Sequence, residues 1–534
     1  MGLSSKQTTL ILDTLAGLFT IAGLVGLIIS CVELVNLNAK VYNPWFLTIW
    51  LTLFMLFYGL QIPWNLHLAP LRGSKTALAN FIHYMFILVV VFILFVAYYV
   101  GYRNDGGSWS LFLIPCIAIN AYIAYCRYNL VSKENVQENV QSDEEAAFSD
   151  KLLSLETVGL SEDLYFRPKN KTQRTTLVAF AGLNAFLVSI SFILIGLLLG
   201  GSTLQAHGYR SYPPRGNFYS ITYSSGQNQE IMAYCVGAFN ASRPTIVFDI
   251  GGGGHSSSDL YGLQEALNEQ GYRVCTYDYP GCGWSGYAVS NAPSMILDKV
   301  LEALNESPPY VLLGTMDGGP ERIYEYALAY PQNVKAIIPI DYRPGPTEME
   351  AYKMIRNYTD SQASNYALTT ISSRYQLGSI ISGIAVQWGL ITLFAPPGDT
   401  YVPADRQREK LFLNLYNEKQ WHTQSIYLLR QIKNISLALG YDTWFTNTQL
   451  DAGIPVYWFY NNVNNTRICI EYRYTPIQCQ ESNEMAQISY KYVQLATNRT
   501  AGSKIIQYED ATDMLSQGQY IPWTAQQIVQ TIET

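Results

Sequence analysis

Two patterns of apolar and polar positions divide this chain. Up to residue 201 the apolar positions run in long stretches, near 8–32, 44–62, 78–101, 108–126 and 176–200. Each is long enough to cross the hydrocarbon core of a bilayer as a helix. From about residue 216 the runs shorten and alternate in type. Strands are predicted at 218–224, 230–236, 244–250, 272–278, 309–314, 335–341, 455–460 and 503–508, and helices at 258–270, 293–305, 320–330, 484–496 and 523–533. The opening strand pair, joined through Ser224-Ser225-Gly226-Gln227, reads as an antiparallel hairpin. The later alternation predicts a doubly wound, mostly parallel sheet.

These patterns predict a five-helix transmembrane domain over 1–201, with a cytoplasmic loop at 127–175, and an extracytoplasmic α/β domain over 202–534 whose helical cap occupies 342–453. The cap contains an apolar run from Ile380 to Phe394. Read as a sixth crossing, it would separate the last strands from the first by a membrane, so it is read as a cap helix, with an apolar face dipping into the bilayer as the functional variant. In the 127–175 loop, Ala146, Phe148, Leu152, Leu155 and Leu160 either form the apolar stripe of a short interfacial helix or belong to a solvated linker.

Charge orients the helices. Lys6, Arg72, Lys75, Arg127, Lys133, Lys151, Arg167, Lys169, Lys171 and Arg174 fall in the N-terminus and alternate loops, whereas the opposite loops hold Lys40 and Arg103. The excess marks the cytoplasmic side. The first helix reads as a retained anchor, too long for a signal-peptide core. Its small residues Gly17, Ala22, Gly23 and Gly26 suit close approach by another helix, within the chain or outside it. Glycosylation sequons agree with this orientation: Asn240, Asn305, Asn357, Asn434, Asn464 and Asn498 all follow the fifth helix, and Asn170, on the cytoplasmic side, should stay bare.

Three stretches in the second half carry chemistry in outline. Thr245 to Ile250 is a strand that runs into Gly251-Gly252-Gly253-Gly254-His255. Tyr277-Asp278-Tyr279-Pro280-Gly281-Cys282-Gly283-Trp284-Ser285-Gly286 is a glycine-rich turn after the next strand. Val311 to Gly319 runs through Gly314-Thr315-Met316-Asp317-Gly318, with Pro320 opening a helix. In this order and spacing they resemble the α/β-hydrolase fold family over roughly 216–534. The resemblance identifies the first with the family's oxyanion loop, the second with its Asp-x-Pro-Gly-x-Gly-x-Ser turn and the third with its nucleophile elbow.

That family needs a nucleophile, an acid and a histidine, in this chain order. Here Met316 holds the nucleophile position, Asn461 and Asn462 the acid position and Asp513 the base position. A thioether has no proton to lose and cannot attack a carbonyl as a serine does. Shifting the elbow by one would make Asp317 the nucleophile, still without a base. His255 could swing toward the elbow or could simply be a hydrogen-bonded loop residue. Asp341 could serve as a displaced acid, but with no base it orients nothing. Amides of Gly252, Gly253 and Gly254 could survive as an oxyanion-loop remnant.

Composition adds limits. Net charge is −7 over 534 residues, with no basic block of the kind nucleic-acid binding needs. No metal site and no cofactor are expected, since there is no Cys-x-x-Cys pair and no histidine cluster. Cys469 and Cys479 bracket a polar excursion and are expected to form a disulfide, and Cys235 and Cys275 are read as buried free thiols. The expected function is that of a non-catalytic, hydrolase-like membrane protein, an accessory, scaffold or binding component of a membrane assembly. Its expected partners are the lipid bilayer and other membrane proteins, with an apolar ligand as a candidate occupant of the vestigial pocket. Two alternatives stand beside it: a membrane-tethered lipid or ester hydrolase with an unorthodox site, and an accessory subunit of a mitochondrial respiratory complex in the inner membrane.

Overall fold

The computed structural model describes residues 5–35, 45–65, 74–95, 109–138, 171–223, 226, 228–240, 242–250, 255–286, 293–315, 319–342, 346–366, 372–390, 404–417, 419–421, 453–462, 476–498, 500–509, 515–516 and 518–533. They fall into two compact units. One comprises residues up to Leu204 together with Gln387–Gly389, and the other runs from Gln205 onward without those three.

The first unit is helical. Its described helices are α1 (Ser5–Val35), α2 (Trp45–Pro63), α3 (Ser74–Phe95), α4 (Trp109–Glu138) and α5 (Lys171–Ser211), the last continuing into the second unit. They coincide with the five apolar stretches of the sequence. Among the described residues, α1 is the helix long and apolar enough to cross a membrane, over Leu10–Ile28. Shorter apolar stretches lie in α2 (Trp50–Ile62), α3 (Leu78–Ile93) and α5 (Gly182–Leu198).

Glycine lets α1 and α2 touch. A Cβ at Gly23 would stand 2.5 Å from the Leu56 amide, and one at Gly59 would stand 2.8 Å from Thr20 Oγ1. Gly23 is therefore used for packing within the chain. The pairs 23/56 and 20/59 make α1 and α2 antiparallel. Main-chain carbonyls of α2 and of Asn65 just beyond it orient α4: Asn120 donates to Tyr58 O at 2.9 Å, and Arg127 Nη1 to Asn65 O at 2.6 Å, so α4 runs parallel to α2. Tyr58 meets Ser191 at 3.0 Å and Gln61 donates to Asn184 at 2.6 Å, so α5 runs antiparallel to α2. Side-chain amides and hydroxyls buried in an apolar bundle need such partners.

The second unit is built on an eight-stranded sheet in the order β1-β2-β4-β3-β5-β6-β7-β8. The strands are β1 (Asn217–Thr222), β2 (Asn228–Val236), β3 (Thr245–Ile250), β4 (Val274–Tyr277), β5 (Tyr310–Thr315), β6 (Val334–Ile340), β7 (Tyr457–Asn462) and β8 (Lys504–Glu509). β1 pairs antiparallel with β2 and β2 with β4, and every other pairing is parallel. The eight predicted strands are all present.

Alternation along the central strands builds two cores. Val247, Tyr310 and Leu312 face one side, with α7 (Pro293–Ala303), α8 (Gly319–Ala329) and α13 (Pro476–Thr497) supplying Ile296, Leu297, Val300, Ile323, Tyr326 and Val493. Ile246, Phe248, Val311 and Leu313 face the other, against Leu263 and Leu267 of α6 (Tyr261–Glu269) and Ile528 and Ile532 of α14 (Ile521–Glu533). Between β6 and β7 lie α9 (Pro346–Arg356), α10 (Asp360–Tyr366), α11 (Ser372–Gln387) and α12 (Ala404–Leu411), within the span expected for the cap.

The structure corrects the reading of two cysteines. Cys235 and Cys275 are directly opposed in the β2–β4 pair and are disulfide-bonded, with Cα atoms 4.0 Å apart. Both lie on strands, as expected; what sequence could not supply was that the fourth strand folds back beside the second. Cys479 is also disulfide-bonded, and Cys469 lies outside the described residues. Peptide mapping without reductant should recover Cys235 linked to Cys275. Replacing both by alanine should cost about 2–4 kcal/mol, the stabilisation expected from closing a loop of this length; recovery of both as alkylatable thiols would contradict the pairing. The sequon residues Asn240, Asn305, Asn357 and Asn498 are exposed, whereas Asn170, Asn434, Asn464 and the 146–160 stripe lie outside the described residues.

Candidate functional site at the carboxyl edge of the sheet

In an open α/β sheet, ligands bind where the chain leaves the carboxyl ends of neighbouring strands in opposite directions. Here that point lies between β3 and β5. Ile250 is in register with Thr315, and Thr315 with Ile340, so three adjacent strands end at one level. The chain positions that follow are the glycine run from Gly251, Met316 and Asp341. The residues Gly251–Gly254, Met316–Gly318 and Asp513 themselves, and the side chain of Asn462, lie outside the described residues.

The frame of the elbow is described on both flanks. A Cβ at Gly314 would stand 2.7 Å from Pro320 N and 2.8 Å from Gly319 C, so the chain returns from β5 into α8 against the backbone of Gly314 itself. This close approach is the physical reason for a glycine two places before the elbow tip. The buried Thr315 hydroxyl has no hydrogen-bond partner among the described residues.

Asp341 closes β6 in a left-handed conformation, φ 54°, which is uncommon outside glycine and asparagine or aspartate. Its amide donates to Phe459 O at 3.1 Å on β7, and its Oδ2 accepts the Leu515 amide at 2.6 Å. Asp341 therefore grips the segment after β8, two residues past the position where the family places its base. Asn461 sits half-buried on β7 in register with Tyr508.

His255 is 32% exposed at its side chain, and its Nδ1 lies 3.3 Å from Asp259 Oδ2. Asp259 is a hub. It also accepts Ser256 N at 3.2 Å and Asn414 Nδ2 at 2.9 Å, and Lys410 Nζ lies 3.0 Å from its other oxygen. Burial opposes ionisation, but Lys410 and His255 more than offset it and hold the Asp259 carboxyl well below the usual carboxylate range. His255 is thus bound within its own loop.

Two further carboxylates, not singled out as site residues from sequence, hold the floor. Asp278 accepts Ser257 N at 2.6 Å and Trp284 N at 2.7 Å, tying the segment after β3 to the turn after β4. Burial pushes its carboxyl up, opposed by these amides and by Lys419. The motif showed Asp278 but not its partners. Gly283, at φ 47°, leaves room for that carboxylate; a Cβ there would collide with Asp278 Oδ2. Asp249 at the end of β3 is gripped by Arg322 of α8, with Nε at 3.0 Å and Nη2 at 2.5 Å from Oδ1, and it accepts Tyr277 Oη at 2.5 Å. Burial raises the Asp249 carboxyl, and Arg322 pulls it back. Arg322 also lies 4.4 Å over the ring of Tyr279.

The cap reaches the same rim through polar side chains. Asn414 bonds Ser256 and Asp259, Gln420 accepts Gly283 N and donates to His255 O, and Lys419 donates to Ser285 O. Among the described residues, one group could offer three metal-ligand atoms, Cys235, Cys275 and Glu306. Its sulfurs are joined to each other, and Arg273 binds Glu306 through Nη2 at 2.6 Å, so it does not fit an ion.

Comparison with known proteins agrees with this fold. Residues 244–374 match the model of the alpha/beta hydrolase fold family. An uncharacterized protein of Schizosaccharomyces pombe is 29% identical over 157 residues, which cover 24% of this chain and 28% of that protein's length. Similar solved structures include a probable hydrolytic enzyme from Pseudomonas aeruginosa (15% identity, 60% of this chain and 95% of that one, TM-score 0.39) and an epoxide hydrolase from Vigna radiata (13%, 60% and 98%, 0.39). An esterase from Exiguobacterium antarcticum is a third (14%, 60% and 100%, 0.35). At these identities the likeness concerns the fold alone.

Proposed function

We propose that this chain is a five-span membrane protein whose extracytoplasmic α/β-hydrolase-fold domain binds rather than catalyses, as an accessory or scaffold component of a membrane assembly. The observation that carries this reading is the elbow. Its backbone frame is kept, since Gly314 still meets Pro320, while its tip holds Met316. A scaffold selected for turnover keeps the nucleophile; one selected for shape needs only the turn.

The membrane part is supported by helix direction. Five successive crossings require α1 and α2 to be antiparallel, α2 and α4 parallel, and α2 and α5 antiparallel, and the contacts at Gly23, Asn120 and Ser191 have these senses. The exposed Leu18, Ile21 and Leu24 of α1, and Ile82, Phe86 and Val89 of α3, suit lipid contact.

Purified protein is expected neither to hydrolyse activated esters nor to label with fluorophosphonates, and mass spectrometry of the same sample is expected to find glycans among the exposed sequons and none on Asn170. Stoichiometric labelling lost on changing one elbow residue would favour the hydrolase reading. Bare asparagines throughout would favour the mitochondrial placement or a reversed orientation. Identification of what co-migrates with the native protein tests the assembly role.

A further inference from the structure

We infer that Asn240 carries an N-linked glycan whose first N-acetylglucosamine rests on the ring of Phe239. This rests on the extracytoplasmic placement proposed above, and adds to it one named acceptor and the side chain that seats its sugar.

Residues 237–244 join β2 to β3, at the amino edge of the parallel strands and opposite the candidate site. Both ends of this loop are pinned. Gly237 O accepts Arg273 Nη1 at 2.6 Å. Arg243 donates to Gln270 O at 2.8 Å, and its guanidinium lies 4.8 Å from the centre of the Tyr272 ring. Between these anchors Asn240 is exposed and begins Asn-Ala-Ser. Its Oδ1 accepts both the amide of Ser242 at 3.0 Å and the Ser242 hydroxyl at 2.7 Å, and its carbonyl accepts Arg243 N at 3.0 Å. The carboxamide oxygen is thus turned into the loop. Among the four described sequons, this is the one whose hydroxyl is bonded to its own asparagine. At Asn357 the Thr359 hydroxyl bonds Gln362 instead, at 3.1 Å.

An oxygen held inward leaves Nδ2 toward solvent, and Nδ2 is the atom that glycan transfer uses. The donor is an oligosaccharide linked to a lipid diphosphate. Nδ2 bonds its anomeric carbon, and the bond from that carbon to the diphosphate oxygen breaks. The diphosphate leaves with the electron pair, and one Nδ2 proton goes to a base of the transferase.

Phe239 precedes the acceptor. It is 59% exposed and belongs to neither core of the domain. A lone exposed phenylalanine is ordinary on a protein surface. This one stands a single residue from the point of attachment, on a loop fixed at both ends, so the first sugar meets it without ordering any further chain. The face of an aromatic ring is negative, and the C–H groups on one face of the sugar are weakly positive and apolar. The ring therefore matches the chemistry of that face, and a glycan at this edge leaves the rim at the carboxyl edge open.

The test uses the full chain, purified from cells that glycosylate secreted proteins. Glycopeptide mass spectrometry should find Asn240 occupied. A glycosidase that cleaves at Nδ2, applied to the folded protein, should release this glycan several-fold more slowly than from the Phe239→Ala variant, because the ring shields the first sugar. In the glycosylated chain Phe239→Ala should lower the melting midpoint by about 2 °C, the size of one aromatic contact in a domain this large. In the Asn240→Gln background it should leave the midpoint unchanged. If Asn240→Gln does not fold, folded protein deglycosylated by the enzyme supplies that background. A bare Asn240 beside a glycan on another sequon overturns the inference and leaves the extracytoplasmic placement standing. Equal release from parent and Phe239→Ala, or an equal midpoint shift with and without the glycan, overturns the seating of the sugar. Bare asparagines at every sequon overturn the placement itself, and the inference with it.

Discussion

Replacing Arg322 by alanine is expected to destabilise the α/β domain by about 3–5 kcal/mol, the cost of leaving a buried carboxylate without its cation. The side chains of Arg322 and Asp249 are 2% and 0% exposed, so no water can take over the lost bonds. Arg322 donates to Asp249 through two nitrogens and to Ile250 O at 2.5 Å. It thereby joins α8, which begins at the elbow, to the end of β3, which leads into the glycine run. With Tyr277 on the same carboxylate, β4 is held too. Scanning fluorimetry in detergent should show the melting midpoint falling by roughly 5–10 °C. The double variant Arg322→Met with Asp249→Leu should lose far less than the two single changes summed, because a buried pair replaced by apolar groups of similar size is often near neutral. A melt unchanged by Arg322→Ala would mean that the ion pair does not hold this floor.

Local signals in this chain were legible, and long-range ones were not. The frame of the elbow could be read because its cause is local: Gly314 must clear a backbone only five and six residues on. The eight strands could be read because alternation within each, as in Ile246, Val247 and Phe248, follows from the pleat. The Asp249–Arg322 pair joins positions 73 apart, and nothing near either residue announces the other. The Cys235–Cys275 bond depends on sheet order, which sets β4 beside β2 although β3 intervenes in the chain. Asp341 was visible as a displaced acid, but its hold on Leu515 required the crossover that brings β8 home. His255 looked like a stray base until Asp259, one helical turn later and itself held by Lys410 of the cap, supplied its partner.

That hold on Leu515 sharpens what rebuilding the site should do. Met316→Ser alone is expected to give no measurable esterase, because no histidine follows β8 to take the proton. Met316→Ser combined with Asp513→His should give weak turnover of an activated ester. The acid expected to serve that histidine is Asp341, which has a left-handed backbone and accepts the amide two residues past position 513. Adding Asn461→Asp should then change little, whereas adding Asp341→Asn should take the rate down by up to about 10⁴, the cost of losing the orienting carboxylate of a triad. A melting curve for each variant separates lost chemistry from lost fold. If instead Asn461→Asp were required and Asp341→Asn harmless, the acid site would lie on β7. If Met316→Ser alone turned over ester at a robust rate, a base must already reach the elbow. His255, released from Asp259, would be the first to test, and the reading of this domain as a binding scaffold would fall.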